Sequence, residues 1–312
     1  MVKVTKRNIG VEYLRIVCML WIILHHFSSI VINEILHSNE IGINYYISVL
    51  DFIGGDIGNV VFILITGFYM HDKTFDIVRW VKLFLQVLFY SVLSYTIMIV
   101  LGRIELNWQN LAHMLFPIRQ NNYWFISTYL ILFFSFPILN LVIEKTAKRL
   151  LLFVIVLGLI IFSFLPSLGY SWLASDTNCF MMFIILYLFG GWMGYHKINI
   201  WKRNKLIICV LFIVTLTGTV LSAPLFQKYG NYAFRFIWGM RAPIIIISFC
   251  LFEIFRNVNL KYNRFLVNSA KCVFGVYLLH NGPLLPEIER MFGINQASYY
   301  FSGWGGDYYC QQ

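Results

Sequence analysis

The chain has 312 residues, of which 59% are hydrophobic and 18% aromatic while only 12% are charged, about half the charged share of an ordinary globular domain, which is near 25%. That composition excludes a soluble two-domain protein, because apolar runs of about 20 residues recur from end to end and leave no segment to build one. The formal charge of +10, from 24 Lys and Arg against 14 Asp and Glu, would suit a nucleic-acid binder, but its placement along the chain argues against that.

Hydropathy predicts an all-α, polytopic transmembrane bundle of about nine spans, near 12–33, 44–70, 78–101, 122–143, 149–169, 179–196, 205–224, 236–255 and 270–286. Lys3, Lys6 and Arg7 precede the first span, and Lys73, Lys145, Lys148, Arg149, Lys197, Lys202, Arg203, Lys205, Arg256, Lys261 and Arg264 fall in every second connection. The intervening connections hold only Arg103, Arg119, Lys228 and Arg235. This alternation places the N-terminus in the cytoplasm. The surplus charge reads as topology, with an anionic-lipid patch as the alternative. The first apolar run is too long for a signal-peptide core and lacks a small-residue cleavage site, so it is expected to stay as a span. Six cysteines, at 18, 179, 209, 250, 272 and 310, form no Cys-x-x-Cys pair and read as small buried apolar residues.

The first span opens with EYLRIVCMLWIILHHF, Glu12 to Phe27. Arg15 and His26 differ by only about 20° around a helix and about 16 Å along it, so one face carries both. His25 points about 80° away from Arg15, and Glu12 sits beside the arginine at i−3. An Arg or Lys at membrane depth costs about 2.5–3.5 kcal/mol on insertion scales and usually faces a polar interior that marks function. The helix is therefore the centre of a candidate site. The competing account is an Arg/His pair that satisfies buried carbonyls.

In the second span, DFIGGDIGNVVFILITGFYM holds Asp51 and Asp56, and its early glycines are expected to loosen or kink the helix near the outer surface. Alternatively the aspartates lie in a wetted segment and the span starts near Ile57. Arg79 and Lys82, three apart at the inner entrance of the third span, share a face. They read either as snorkelling anchors or as a phosphate-binding pair. The outer connection from Gly102 to Asn122 is amphipathic, with Trp108 and His113. It leads to Tyr123 and Trp124, an aromatic belt or, with Arg119, Gln120, Asn121 and Asn122, a glycan-stacking platform. The fifth to seventh spans carry no evident chemistry, and Gly190, Gly191 and Gly194 suggest close helix contact. Arg241 is expected about five residues inside the eighth span, as a snorkelling or a pocket cation. The ninth span ends at His280. There is no internal repeat, Walker loop, HExxH or GxSxG pattern.

Glu12-Tyr13-Leu14-Arg15 with His26, VFILITGFYM, RWVK at 79–82, WFISTYL at 124–130 and FGVYLLH at 274–280, in this order, resemble the bacterial acyltransferase-3 family over residues 8–286. The resemblance implies an integral-membrane O-acyltransferase acting on cell-surface polysaccharide or a lipid-linked precursor. Its donor would be cytoplasmic acyl-CoA, acetyl-CoA in the first place, with no metal. The family's Arg-and-His motif maps onto Arg15 and His26, and its Arg-x-x-Arg motif onto Arg79 and, with a substitution, Lys82; the lysine keeps a point charge but loses bidentate contact. On this reading His26 is the general base, Arg15 oriented by Glu12 serves the donor or the bundle, and Arg79 and Lys82 hold the donor. Trp124 and Arg241 are candidate acceptor contacts. The partners implied are a glycan or lipid-linked glycan and membrane lipid, without nucleic acid, in the cell membrane. Residues 1–286 form the expected membrane domain and 287–312 a polar tail. The family's tenth span has no counterpart there, since GWGGDYYCQQ and the residues before it are too polar and Gly-broken to cross a bilayer. No soluble hydrolase-like domain is appended, so the membrane domain would complete the transfer. The rival class is a flippase or exporter of lipid-linked oligosaccharide, which needs a through-going polar pathway, whereas only the first span carries a strong internal His/Arg set.

Overall fold

The computed structural model describes residues 8–37, 41–118, 123–170, 176–227 and 236–291, and the regular elements among them are all helical. In chain order they are α1 (Ile9–His37), α2 (Ile43–Met70), α3 (Ile77–Val100), α4 (Trp108–Leu115), α5 (Trp124–Lys145), α6 (Lys148–Leu159), α7 (Leu165–Ser167), α8 (Asp176–Tyr195), α9 (Ile200–Gln227), α10 (Ala242–Asn257), α11 (Arg264–His280) and α12 (Leu285–Met291). A π turn, Ile160–Phe164, joins α6 to α7. Pro166 lies just beyond it and has no N–H to donate back along the helix, which is where such turns form.

The expected spans fall on α1, α2, α3, α5, α6 with α7, α8, α9, α10 and α11. Among the described residues six helices are long and apolar enough to cross a membrane unaided. α10 and α11 have only 16 and 17 residues, about 24–26 Å at 1.5 Å per residue, short of a hydrocarbon core of about 30 Å. α10 is instead enclosed by protein: Ile244, Ile247, Ser248, Cys250, Phe252 and Glu253 are fully buried. The short α12 straddles residue 287.

α2 is the axis of the bundle. Of its apolar window 72% is buried, against 17–44% for the other long spans. Helices in lipid gain nothing from hiding apolar surface, so close backbone approach through small residues drives their contact. A Cβ added at Gly67 would lie 2.2 Å from the Tyr187 carbonyl oxygen and one at Gly190 2.3 Å from that of Leu64, so α2 and α8 touch backbone to backbone. The Gly54–Gly55 face instead takes in side chains of α1: a Cβ on Gly54 would enter the Trp21 ring and one on Gly55 the His25 ring. The expectation that these glycines kink α2 is thereby overturned. The helix runs unbroken from Ile43 to Met70, and the glycines are the groove that receives the side chains of α1.

Hydrogen bonds sort the connections into two ends. At one end, Asn8 Nδ2 donates to the Arg256 carbonyl (2.7 Å), Asn199 to Asn257 (2.6 Å), Trp192 to the Lys148 carbonyl (3.1 Å), and Asn140 to the Met70 (2.9 Å) and Lys73 (3.0 Å) carbonyls. At the other end, Ser91 donates to Met114 O (2.9 Å), Ser163 to Met240 O (2.7 Å), and Arg103 pairs with Glu287 at 3.1 Å. The first end gathers the connections rich in Lys and Arg. Lys3, Lys6, Arg7, Arg119, Lys228 and Arg235 lie outside the described residues, as do Cys310 and the GWGGDYYCQQ ending.

Two further expectations need correction. Arg241 is not inside a helix: residues 236–240 form turns, Gly239 takes φ +70°, and Arg241 is the extended N-cap residue of α10. Pro243 starts the helix, where its missing N–H costs nothing. The cysteines are not uniformly buried either, since Cys272 is exposed while Cys18 and Cys250 have no accessible surface.

Candidate active site

At the end of the bundle opposite the N-terminus, α1 presents its two histidines to different neighbours. A step of one residue turns a helical side chain by about 100°. His25 turns to α2, in the space Gly55 leaves open. Its Nδ1–H donates to the Phe52 carbonyl, and the rings of His25 and Phe52 lie 4.8 Å apart. His26 turns to α11, and its ring lies 5.2 Å from that of His280 and 5.4 Å from His25. His280 is the last residue of α11. Its Nδ1–H donates to the Val276 carbonyl at 2.8 Å, and the Tyr277 ring stands 5.8 Å away. Because α1 starts at Ile9, His26 lies about 26 Å along it, level with the end of α11.

Asp56 completes this end. One turn after Phe52, it accepts from the Gly239 N–H at 2.7 Å and lies in electrostatic reach of His25 and Arg241. Arg241 Nε donates to the Trp238 carbonyl (3.3 Å), and the Trp238 ring is 5.2 Å from Phe52. The carboxylate thus ties the loop before α10 to α2. It is not part of a wetted segment outside the span, because α2 begins thirteen residues before it.

Nearer the start of α1, Arg15 Nη1 donates to Glu12 Oε2 at 3.1 Å, with the arginine side chain 32% exposed. Tyr129 of α5 pairs with Thr66 of α2 and lies in electrostatic reach of both Arg15 and Arg79. Helices α1, α2, α3 and α5 thus each contribute a polar side chain to the electrostatic surroundings of one hydroxyl. Asp76 caps α3 by accepting from the Val78 (2.9 Å) and Arg79 (3.2 Å) N–H groups, which fixes where Arg79 leaves the helix. Arg79 Nη1 reaches Met70 Sδ at 3.9 Å, and Lys82 stands exposed one turn further on.

Arg256, counted in the sequence with the topological cations, is different. It is an ion-pair partner of Glu253, donates to the Ile198 carbonyl (2.6 Å), and lies over the rings of Phe68 and Phe252 at 5.1 and 5.4 Å. Glu253, with no accessible surface, also accepts from the Trp201 N–H at 3.0 Å. This network joins α10 to the α8–α9 connection.

The structure pairs Arg15 with Glu12, places Arg15 and Arg79 each in electrostatic reach of Tyr129, leaves Lys82 exposed one turn beyond Arg79, and sets His26 beside His280. Trp124 opens α5, half-buried, with its ring 5.9 Å from Phe125 and 6.3 Å from Phe183, and Tyr123 is 1% exposed. The polar residues expected beside them, Arg119 to Asn122, lie outside the described residues. Sequence reasoning passed over Tyr129, His280 and the role of Asp56. His280 was visible as a polar residue closing an apolar run, but nothing in the sequence aligned it with His26. Among the described residues no group of three or more His, Cys, Asp or Glu side chains is placed to hold a metal ion.

A multi-pass helical bundle with an arginine near one end of its first span and paired histidines near the other is a membrane protein with an internal polar site. A family model described as an acyltransferase domain, that of the acyltransferase-3 family, matches residues 8–305. The chain belongs to that family and is a membrane acyltransferase. Comparison with curated proteins and with solved structures finds no match.

Proposed function

We propose that the protein is an O-acyltransferase of the cell membrane that moves an acyl group, acetyl in the first instance, from acyl-CoA to a hydroxyl of a cell-surface polysaccharide or its lipid-linked precursor. The observation that carries this reading is the division of polar groups along α1. Arg15 and Arg79 lie in electrostatic reach of Tyr129 near its start, and His26 meets His280 further along it. Arg15 and His26 are separated by about 16 Å along the axis.

The basic connections share the end of the bundle where α1 begins, which the positive-inside rule assigns to the cytoplasm. The donor's phosphates then bind at Arg79, Lys82 and Arg15, and its pantetheine arm carries the thioester along α1 to His26. There the acceptor's hydroxyl oxygen attacks the thioester carbonyl carbon while neutral His26 takes its proton. The new C–O bond forms, the C–S bond breaks, and the departing thiolate recovers the proton from the imidazolium. A positioned base of this kind contributes about 10²–10⁴-fold. Arg15, held by Glu12, serves the donor and not the bond-making step.

Mass spectrometry of the surface glycan from cells with and without the gene tests this. A difference of one acyl unit per modified residue is expected. Complete loss of the surface polymer would point instead to a flippase or exporter of lipid-linked oligosaccharide.

A further inference from the structure

His280 is used by nothing so far. It is 8% exposed, its Nδ1–H is committed to the Val276 carbonyl at 2.8 Å, and its Nε2 has no hydrogen-bond partner. A carbonyl oxygen only accepts, so the contact at Nδ1 fixes the proton there and leaves Nε2 of the neutral ring as a lone pair. A buried acceptor without a donor is costly in any fold, by about 1–3 kcal/mol, and such an atom beside a reactive group marks a ligand's place. The His26 ring is 5.2 Å away, and Tyr277, buried and held through its hydroxyl by Asn281 Nδ2 at 2.8 Å, walls the other side.

We propose that His280 is an acceptor-binding residue that selects substrates with two adjacent hydroxyl groups. One hydroxyl gives its proton to His26 as it is acylated, and its neighbour donates a hydrogen bond to His280 Nε2. The inference rests on the acyl-transfer reading and adds the class of acceptor to it: a vicinal diol such as a hexose ring presents. Imidazole rings with centroids 5.2 Å apart suit a substrate with two hydroxyls on adjacent carbons, whereas an isolated alcohol would leave His280 Nε2 unpaired. A site built to accept a substrate hydroxyl rejects the analogue that lacks it for that reason.

The test uses the full chain in lipid nanodiscs with labelled acetyl-CoA, methyl hexosides of several configurations, and their monodeoxy derivatives. For the wild-type protein, removing the hydroxyl next to the acylated one should raise the acceptor KM about tenfold, the weight of one hydrogen bond of about 1.4 kcal/mol. His280→Asn places an amide N–H where Nδ1–H was but has no acceptor in the position of Nε2, so it should erase that difference by weakening the diol acceptor. His280→Gln restores an acceptor near Nε2 and should preserve the difference. The opposite pattern, with His280→Asn normal and His280→Gln defective, would assign His280 to holding the end of α11 and overturn the inference. Equal KM values for diol and deoxy acceptors with the wild-type protein would overturn it while leaving acyl transfer standing. No acylation of any acceptor by the wild-type protein would remove both.

Discussion

Arg256 and Arg15 lie toward the same end of the bundle, and their surroundings differ in a way that separates structure from ligand binding. The Arg256 side chain is 5% exposed and meets a carboxylate, a carbonyl and two aromatic faces. Arg15 is 32% exposed, pairs with Glu12, and shares the electrostatic surroundings of Tyr129 with a second cation, Arg79. A buried cation paired with a buried carboxylate is a tie whose removal strands the groups around it. Two cations within reach of one hydroxyl, each partly open to solvent, leave charge available to an anion.

The sharpest way to break the comparison is Arg256→Ala. It leaves Glu253 buried and unpaired, which should cost about 3–5 kcal/mol and appear as loss of protein abundance and of thermal stability in detergent. Arg15→Ala with Arg79→Ala should do the reverse. Protein of normal abundance and unfolding temperature should show a donor KM raised at least tenfold, with the acceptor KM unchanged. If that double variant instead fails to accumulate, the distinction between the two arginine environments is wrong. Gly55→Ala probes the other end, and its effect on stability should be smaller than that of Arg256→Ala. Its methyl group would enter the His25 ring, and overpacking of this kind costs about 1–3 kcal/mol. A lowered melting temperature with a reduced acyl-transfer rate is expected, and Gly102→Ala, where nothing lies within 4 Å, is the control for a glycine in open space with its own backbone strain.

The positions of the helices were legible because apolar length alone reports a span. The glycines of α2 were misread for an equally physical reason. In water a run such as Gly54-Gly55 weakens a helix, but in a membrane bundle the same residues admit a neighbouring ring, and the sequence does not say which ring. Within α1 the helical periodicity separated His25 from His26 correctly, since both residues belong to one helix. Where contacts cross the chain the local pattern is silent. His280 meets His26, and Tyr129, hidden in the apolar run WFISTYL, lies in electrostatic reach of both Arg15 and Arg79. Asp56 read as a membrane-surface residue because its donor, the Gly239 N–H, lies far along the chain. Arg241 was placed inside a helix because hydropathy does not register the turn at Gly239.

The central claim is that His26 moves the proton, and substitution at the two histidines of α1 tests it most directly. Glutamine keeps a hydrogen bond but takes no proton at neutral pH. His26→Gln should insert and accumulate normally yet lose acyl transfer by about 10²-fold or more, while His25→Ala retains a substantial part of it. Full activity in His26→Gln together with an inactive but stable His25→Ala would contradict the account and move the base to the residue that faces α2.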